Sequence, residues 1–401
     1  MSWPSVKLDS IANVFNGKTP SRDQQRDSGF PVLKIKDVTD SRKFRGEFKS
    51  FVELEVAEKS RDKYLCENDT LILNAAHNAD YVGSKQYCVE PSAVGSLPTG
   101  EWLVVRTIDE NSLDSRYLNF WLWSPSCRHQ IRQFVKGIHL YPKDVARLEI
   151  PLPPLPVQKH IAAVLEKADT LRQQCQQMET ELNALAQSVF LDMFGDPVKN
   201  PKGWKQSSLS LSADLVIDCP HSTPKWTKEG VVCIRTSNLT KGGWDFTDKR
   251  FVDSEQYKGR TARSEIESGD IILSREGTIG VAAKVEDGMN ICMGQRLVQV
   301  RPNYEYLLSD FLLFQLLYLL EPHRLSSVMS GSTVKHLNMR DIRSLKIVVP
   351  PIYQQYLFSE CIENINKLKE ERASLNLNIE EEFNSLMQRA FKGELNLSNA
   401  A

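Results

Sequence analysis

The chain states one pattern twice, about 200 residues apart, and a duplication on that scale restricts the fold to two like units. Trp3 matches Trp204, and Leu8 matches Leu209. Thr19-Pro20 matches Thr223-Pro224 after a small insertion. Gly29 followed by Leu33–Val38 matches Gly230 followed by Ile234–Leu239. Asn68-Asp69 ahead of Leu71–Leu73 matches Gly269-Asp270 ahead of Ile271–Leu273. Val82-Gly83 matches Ile279-Gly280, and Val105-Arg106 matches Val300-Arg301. Asp144-Val145, Leu148 and Ile150 match Asp341-Ile342, Leu345 and Ile347. Pro153-Pro154-Leu155 with Gln158 matches Pro350-Pro351-Ile352 with Gln355. The order never breaks, so the halves are diverged copies.

Each half opens with about 150 residues of short apolar runs broken by Gly, Pro, Asn and Asp. Val32–Ile35, Leu71–Leu73, Trp102–Val105, Val231–Ile234, Ile271–Leu273 and Arg296–Val300 predict strands. Tyr117–Trp123 and Asp310–Leu320 predict short buried helices. The mix implies an α/β globule in each half. The expected domains are globules over 1–150 and 198–350 and helical segments over 151–197 and 351–401.

The helical segments carry a stripe. Ile161, Val164, Ala168, Leu171, Cys175, Met178, Leu182, Leu185 and Val189 step by three and four, the seam of a coiled coil. Pro151, Pro153, Pro154 and Pro156 place the helix start at Gln158, and Gly195 with Pro197 ends it. Residues 158–194 then span roughly 55 Å. The second half repeats the phase with Phe358, Cys361, Ile365, Leu368, Leu375, Ile379 and Leu386. Arg372 and Glu382 interrupt it, with Phe383 standing in for Glu382. A helix packed on its own globule would explain one stripe. Two phase-matched stripes of similar length favour mutual antiparallel packing. The expected class is α+β: two α/β globules separated by two long helices in an antiparallel coiled coil, with pseudo-two-fold internal symmetry.

Enzyme motifs are missing. There is no Gly-x-x-x-x-Gly-Lys-[Ser/Thr] loop, and Gly277-Thr278-Ile279-Gly280 is no dinucleotide fingerprint. Asn200-Pro201-Lys202 lacks the loop an amino-methyltransferase needs. The seven histidines are scattered, so no metal site is visible. Asp270 with Glu276 could suggest a nuclease metal pair, but the copy holding Asp69 reads Leu73-Asn74-Ala75-Ala76-His77, without the second acid. No run of about 18 apolar residues exists, and Met1-Ser2-Trp3-Pro4 lacks the basic-then-apolar start of a signal peptide. The eight cysteines form no Cys-x-x-Cys pair. Free thiols in a reducing cytoplasm and no membrane contact are expected.

The chain resembles the specificity subunits of type I restriction-modification systems. The resemblance rests on Leu8–Ala12, Gly17-Lys18-Thr19-Pro20-Ser21, and Gly29-x-Pro31 leading to Ile35–Val38. It rests further on Thr223-Pro224, Gly230, Ser237-Asn238-Leu239 and Gly269–Leu273 in the second copy. Its firmest marks are the leads into the helices, Ile150–Gln158 and Val348–Gln355, and the closing Leu191-x-Met193-Phe194-Gly195-Asp196-Pro197. The resemblance implies that each globule reads one half of a split double-stranded DNA site and that the helices set the spacing. It also implies two adenine methyltransferase subunits and two restriction subunits as partners. S-adenosylmethionine, ATP and Mg would belong to those partners, with no cofactor and no catalysis in this chain. A duplicated protein-binding scaffold around a coiled coil, without a DNA role, is the alternative.

Candidate DNA contacts lie in matching loops. In the first copy they are Lys18, Thr19, Ser21, Arg22, Lys34, Lys36, Asn74, His77, Asn78, Lys136, His139 and Tyr141. In the second they are His221, Ser222, Thr223, Lys225, Arg235, Ser237, Asn238, Arg275, Glu276, Thr278, Ser332, Thr333, Lys335 and His336. These types can contact phosphates or base edges. A solvated surface or a turn cap is the plain alternative at any one of them. Arg42-Lys43-x-Arg45 and Lys258-x-Arg260-x-x-Arg263 are basic clusters that suit phosphates or water equally. The net charge of −1 is an average: residues 1–150 and 198–350 carry +1 and +4, whereas 151–197 and 351–401 carry −3 each. Mildly basic globules on acidic helices imply that partners supply much of the attraction to phosphate.

Overall fold

Four residues in a row are buried at Thr70–Leu73 and again at Ile271–Ser274, which makes each run an inner strand covered on both faces. Around them the computed structural model, which describes residues 3–325 and 336–395, builds the same sheets twice. The chain divides into a unit of residues 1–177 with 373–401 (unit 1) and a unit of residues 178–372 (unit 2).

In unit 1 a four-stranded antiparallel sheet runs in the order Ala12–Asn16, Trp102–Thr107, Thr70–Leu73, Gln86–Cys88. Unit 2 repeats it with Ala213–Asp218, Leu297–Pro302, Ile271–Ser274 and Ala282–Lys284. A three-stranded sheet accompanies each: Phe51–Val52, Phe30–Leu33 and Leu97–Pro98 in one, Phe251–Val252, Val231–Ile234 and Ile291–Met293 in the other. The strand at Phe30 ends at Leu33, because Ile35–Asp37 forms a tight turn. Gly29 and Gly230 precede the middle strands with φ of 125° and 132°, and a Cβ there would strike the carbonyl oxygens of Val52 and Val252.

Strand alternation sends Ile72, Leu103 and Val105 into one core and Leu71, Leu73, Trp102 and Val104 into another on the opposite face. Full burial of each such side chain contributes about 1.5–3 kcal/mol. An ion pair with a buried carboxylate ties the two inner strands together in both copies. Arg106 Nε and Nη2 donate to Asp69 at 2.8 and 2.7 Å, and Arg301 repeats this with Asp270 at 2.8 and 2.9 Å. Each carboxylate holds its arginine's proton more tightly than usual, although burial opposes the charge. Asp270 is therefore tied to an arginine, and among the described residues no acid, histidine or cysteine group could hold a metal.

Two long helices, Leu155–Phe194 and Ile352–Lys392, each place one half in each unit. The first begins three residues before Gln158. Pro156 lies in its first turn, where the missing N–H has no helical partner to lose. The repeated glutamine explains the lead-in. Gln158 Oε1 accepts from Asp114 N–H, and its Nε2 donates to Ser112 and Pro153 carbonyls. Gln355 does the same with Leu308, Tyr306 and Pro350.

In unit 1 the helix segments run antiparallel. Arg172 donates to Glu380 at 2.8 Å, while Ile161, Ala162 and Leu165 share a core with Met387, Ala390 and Phe391. In unit 2, Phe190 and Phe194 pack on Phe358, and Ala186 joins Ile362 and Ile365. The seam differs from the expected one. Ile161, Phe358 and Ile365 are buried, and Val164, Ala168, Cys175, Met178, Leu182, Val189, Ile379 and Leu386 are half-buried. Leu171, Leu185, Leu368 and Leu375, however, are about half exposed (48–54%), and Cys361 is exposed. The reason is geometric. A straight α-helix turns every 3.6 residues, so its buried face drifts off a strict 3.5 repeat. Here that face follows the globule as well as the partner helix, selecting Ala162, Leu165, Asp169 and Arg172, then Ala186, Phe190 and Phe194. Phe383 is buried and Glu382 exposed. No described helix is long and apolar enough to cross a membrane.

Candidate nucleic-acid interface

In each unit one end of the four-stranded sheet gathers four loops. In unit 1, Gly17 N–H donates to Trp102 O, Lys18 N–H to Pro98 O, and Gly100 N–H to Thr19 Oγ1. Asn74 Nδ2 donates to Asn16 Oδ1 and Gly100 O, both at 2.9 Å. Leu140 N–H donates to Asn74 O, and Ala75 is bridged to His139. Lys18, Thr19, His77, Lys136, His139 and Tyr141 are thereby brought to one exposed edge. Thr99 N–H donates to Leu33 O, which adds Lys34 to the neighbourhood.

Other candidates have local duties. Asn74 is buried, and its side-chain donors are consumed within the fold. Asn78 caps a turn through Asp80 N–H, and Ser21 N–H donates to Gln24. Lys34 donates to Gln25, and Lys136 pairs with buried Asp144. Arg22 and Lys36 are exposed.

Unit 2 builds the same edge with different chemistry. Cys219 N–H donates to Leu297 O, Arg275 N–H to Arg296 O, and Leu337 N–H to Arg275 O. Asp218 stands where unit 1 has Asn16, Arg275 where it has Asn74, Glu276 for Ala75, Arg296 for Glu101 and His336 for His139. The amide link Asn16–Asn74 thus becomes the ion pair Asp218–Arg275, at 3.0 Å. Glu276 lies 3.4 Å from Arg275, 3.7 Å from Arg296 and 3.2 Å from His336. His221 reaches Asp218 at 3.2 Å.

Arg275 is buried, so its work is inside the protein. Buried Asn238 caps the turn after Arg235 and spends its amide hydrogens on Asp245 and Asp248 carbonyls. Arg235 itself pairs with Asp248 at 2.8 Å. Arg260 is buried and holds Ser222 and Met293 carbonyls. Ser222, Thr223, Lys225, Ser237 and Thr278 are exposed. Ser332, Thr333 and Lys335 lie outside the described residues.

Arg42 departs most from its basic cluster. Its guanidinium sits 3.1 Å from the Trp123 ring centre and 3.3 Å from Asp169, with Arg172 on the ring's surroundings at 5.1 Å. Burial pushes its pKa down to about 10, so it remains charged at neutral pH and fastens the globule to the helix. Asp218 and Arg296 were not among the candidates. Their correspondence to Asn16 and Glu101 comes from the strand register, which pairs Val14 with Val105 and Val216 with Val300 and gives Asn74 and Arg275 the same backbone bond. Trp226, also not among the candidates, is exposed beside Lys225 with Arg250 5.4 Å from its ring centre.

Comparison with known proteins gives a consistent result. A family model described as the type I restriction modification DNA specificity domain matches residues 2–184 and 218–380. The chain is 21% identical to the EcoBI specificity subunit of a type I restriction enzyme from Escherichia coli, over 98% of this chain and 86% of that protein. It is 22% identical to the MjaVIII specificity subunit from Methanocaldococcus jannaschii, over 99% and 94%. The crystal structure of a type I restriction-modification S subunit from M. genitalium matches with a TM-score of 0.54 at 13% identity, over 98% of this chain and 96% of that one. A chain from a structural study of assembly and conformational transition of the type I R-M system matches at 0.56 and 17%, over 98% of both. At these identities the structures speak for a shared fold.

Proposed function

Because this chain belongs to the type I restriction-modification DNA specificity family, we propose that it supplies the target choice of such a complex. The loop edge of unit 1 reads one half of a split double-stranded DNA site, and that of unit 2 reads the other. The long helices set the spacing between the halves and dock two methyltransferase subunits, and two restriction subunits complete the assembly in the cytoplasm. The chain contributes recognition and leaves chemistry to its partners, which use S-adenosylmethionine, ATP and Mg.

One observation carries this reading: the same loop edge is built twice on one skeleton, with Ala75, Glu101 and His139 in one copy where the other has the charged cluster of Glu276, Arg296 and His336. Equal backbones with unlike side chains suit two unlike half-sites. The modest +5 of the two globules implies weak DNA binding by the chain alone. The test is co-expression with a modification partner followed by sequencing of modified bases in the host DNA. One split motif with unlike halves is expected; random or absent methylation would refute the reading.

A further inference from the structure

We propose that Glu276 and Arg296 together read one C·G base pair in the half-site of unit 2, a refinement that rests on the function proposed above. The two residues sit at adjoining strand ends. Glu276 follows the strand Ile271–Ser274, and Arg296 precedes Leu297–Pro302. Arg275 N–H donates to Arg296 O at 3.0 Å, so the two loops are joined through the backbone. Both side chains reach outward: Arg296 is 62% exposed and Glu276 30%.

A carboxylate facing DNA is repelled by phosphates, so a glutamate there needs both support and a reason. Its support is on hand, since Arg275, Arg296 and His336 surround it within 3.7 Å. Arg275 cannot turn away to DNA, because it is buried and paired with Asp218. It acts as a positioning residue. Arg296 adopts φ of +68°, a left-handed backbone uncommon for a non-glycine residue and often found where a side chain must be aimed.

The reason lies in hydrogen-bond polarity. A carboxylate only accepts. In the major groove cytosine offers its N4 donor without an acceptor on the same base edge, whereas adenine sets its N7 acceptor beside the N6 donor. Guanine and thymine offer only acceptors. The guanine paired with that cytosine presents O6 and N7, which match the donor fork of Arg296. An acid and an arginine 3.7 Å apart therefore mirror a C·G pair. Unit 1 has Ala75 and Glu101 at these places and makes no such pair, which confines the reading to unit 2.

The test uses the full chain co-expressed with its modification partner, as wild type, Glu276→Gln, Glu276→Ala and Arg296→Ala, with modified-base sequencing of host DNA. The wild-type motif should contain a C·G pair that all three variants alter at the same position of one half-site. Glu276→Gln should admit adenine there, since an amide reads N6 and N7. Glu276→Ala and Arg296→Ala should relax the position, lowering discrimination about tenfold and leaving the other half unchanged. Thermal midpoints equal to wild type show that the fold survives. A wild-type motif unmoved in these variants, or one moved in different halves, overturns the proposal alone. A wild type that modifies no split motif overturns the functional reading as well.

Discussion

Unit 1 fastens its globule to the helices with a charged lock, and unit 2 does the same job with rings. In unit 1, Arg42 at φ +64° lies over Trp123 and against Asp169, while Arg172 ties Asp169 to Glu380. The matching turn of unit 2, one residue shorter, places Gly242 at φ +88°. Leu317 replaces Trp123, and Asn366 replaces Asp169. A cavity of about 400 Å³ opens there, lined by Gly242, Leu317, Phe190 and Asn366 among others. In compensation Phe190, Phe194, Phe311, Phe314 and Phe358 pack with centroids 4.7–6.2 Å apart. Unit 1 keeps the Tyr117–Phe391 pair at the place of Phe311–Phe194. A duplicated junction can thus exchange cation–π and ion-pair chemistry for apolar burial while the sheet beneath stays the same.

The shared skeleton should give the largest effects, and equal ones. Arg106→Ala and Arg301→Ala each strand a carboxylate that is at most 2% exposed, costing about 3–5 kcal/mol. Hydrogen exchange should rise at Thr70–Leu73 for the first and at Ile271–Ser274 for the second. A marked inequality would break the idea of one skeleton. Next comes the junction. Phe358→Ala should cost about 3–5 kcal/mol and loosen unit 2, whereas Arg42→Ala should cost about 2 kcal/mol and loosen unit 1. Exchange in the opposite units would overturn the contrast.

Smaller still, Lys18→Ala and Lys225→Ala in the assembled complex should each lower the salt dependence of DNA binding by about one charge without changing the motif. A changed motif would make them base readers. Last, burial pushes the Cys88 thiol up to about 12, beside Arg42. Thiolate is the reactive form, so its alkylation should still be rising at pH 10, well after exposed Cys66 and Cys361 are labelled. Arg42→Ala should open the site and speed it.

The duplication and the inner strands were legible because buried runs and repeated order are local marks. The repeated Pro-Pro…Gln lead-ins were visible too, although their reason, a glutamine stapling three backbone groups, needs the fold. The seam phase was not legible, since Leu171 and Leu375 obey a 3.5 repeat that the globules overrule. Arg42 suited a phosphate anchor or a solvated face equally, because a sequence cannot show Trp123 81 residues away beneath it. At the loop edge, residue type suggested contact for Asn74, Asn238 and Arg275, but burial gives them structural work. Asp218 and Arg296 lay in the repeat, at positions that only the strand register singles out.

One globule is proposed to read one half-site. This is tested most directly by replacing residues 3–150 with the corresponding globule of a relative of known target and sequencing modified bases alongside the parent chain. One half of the split motif should change to the donor's while the other half and the spacing persist. A motif that changes in both halves, or in neither, would contradict it.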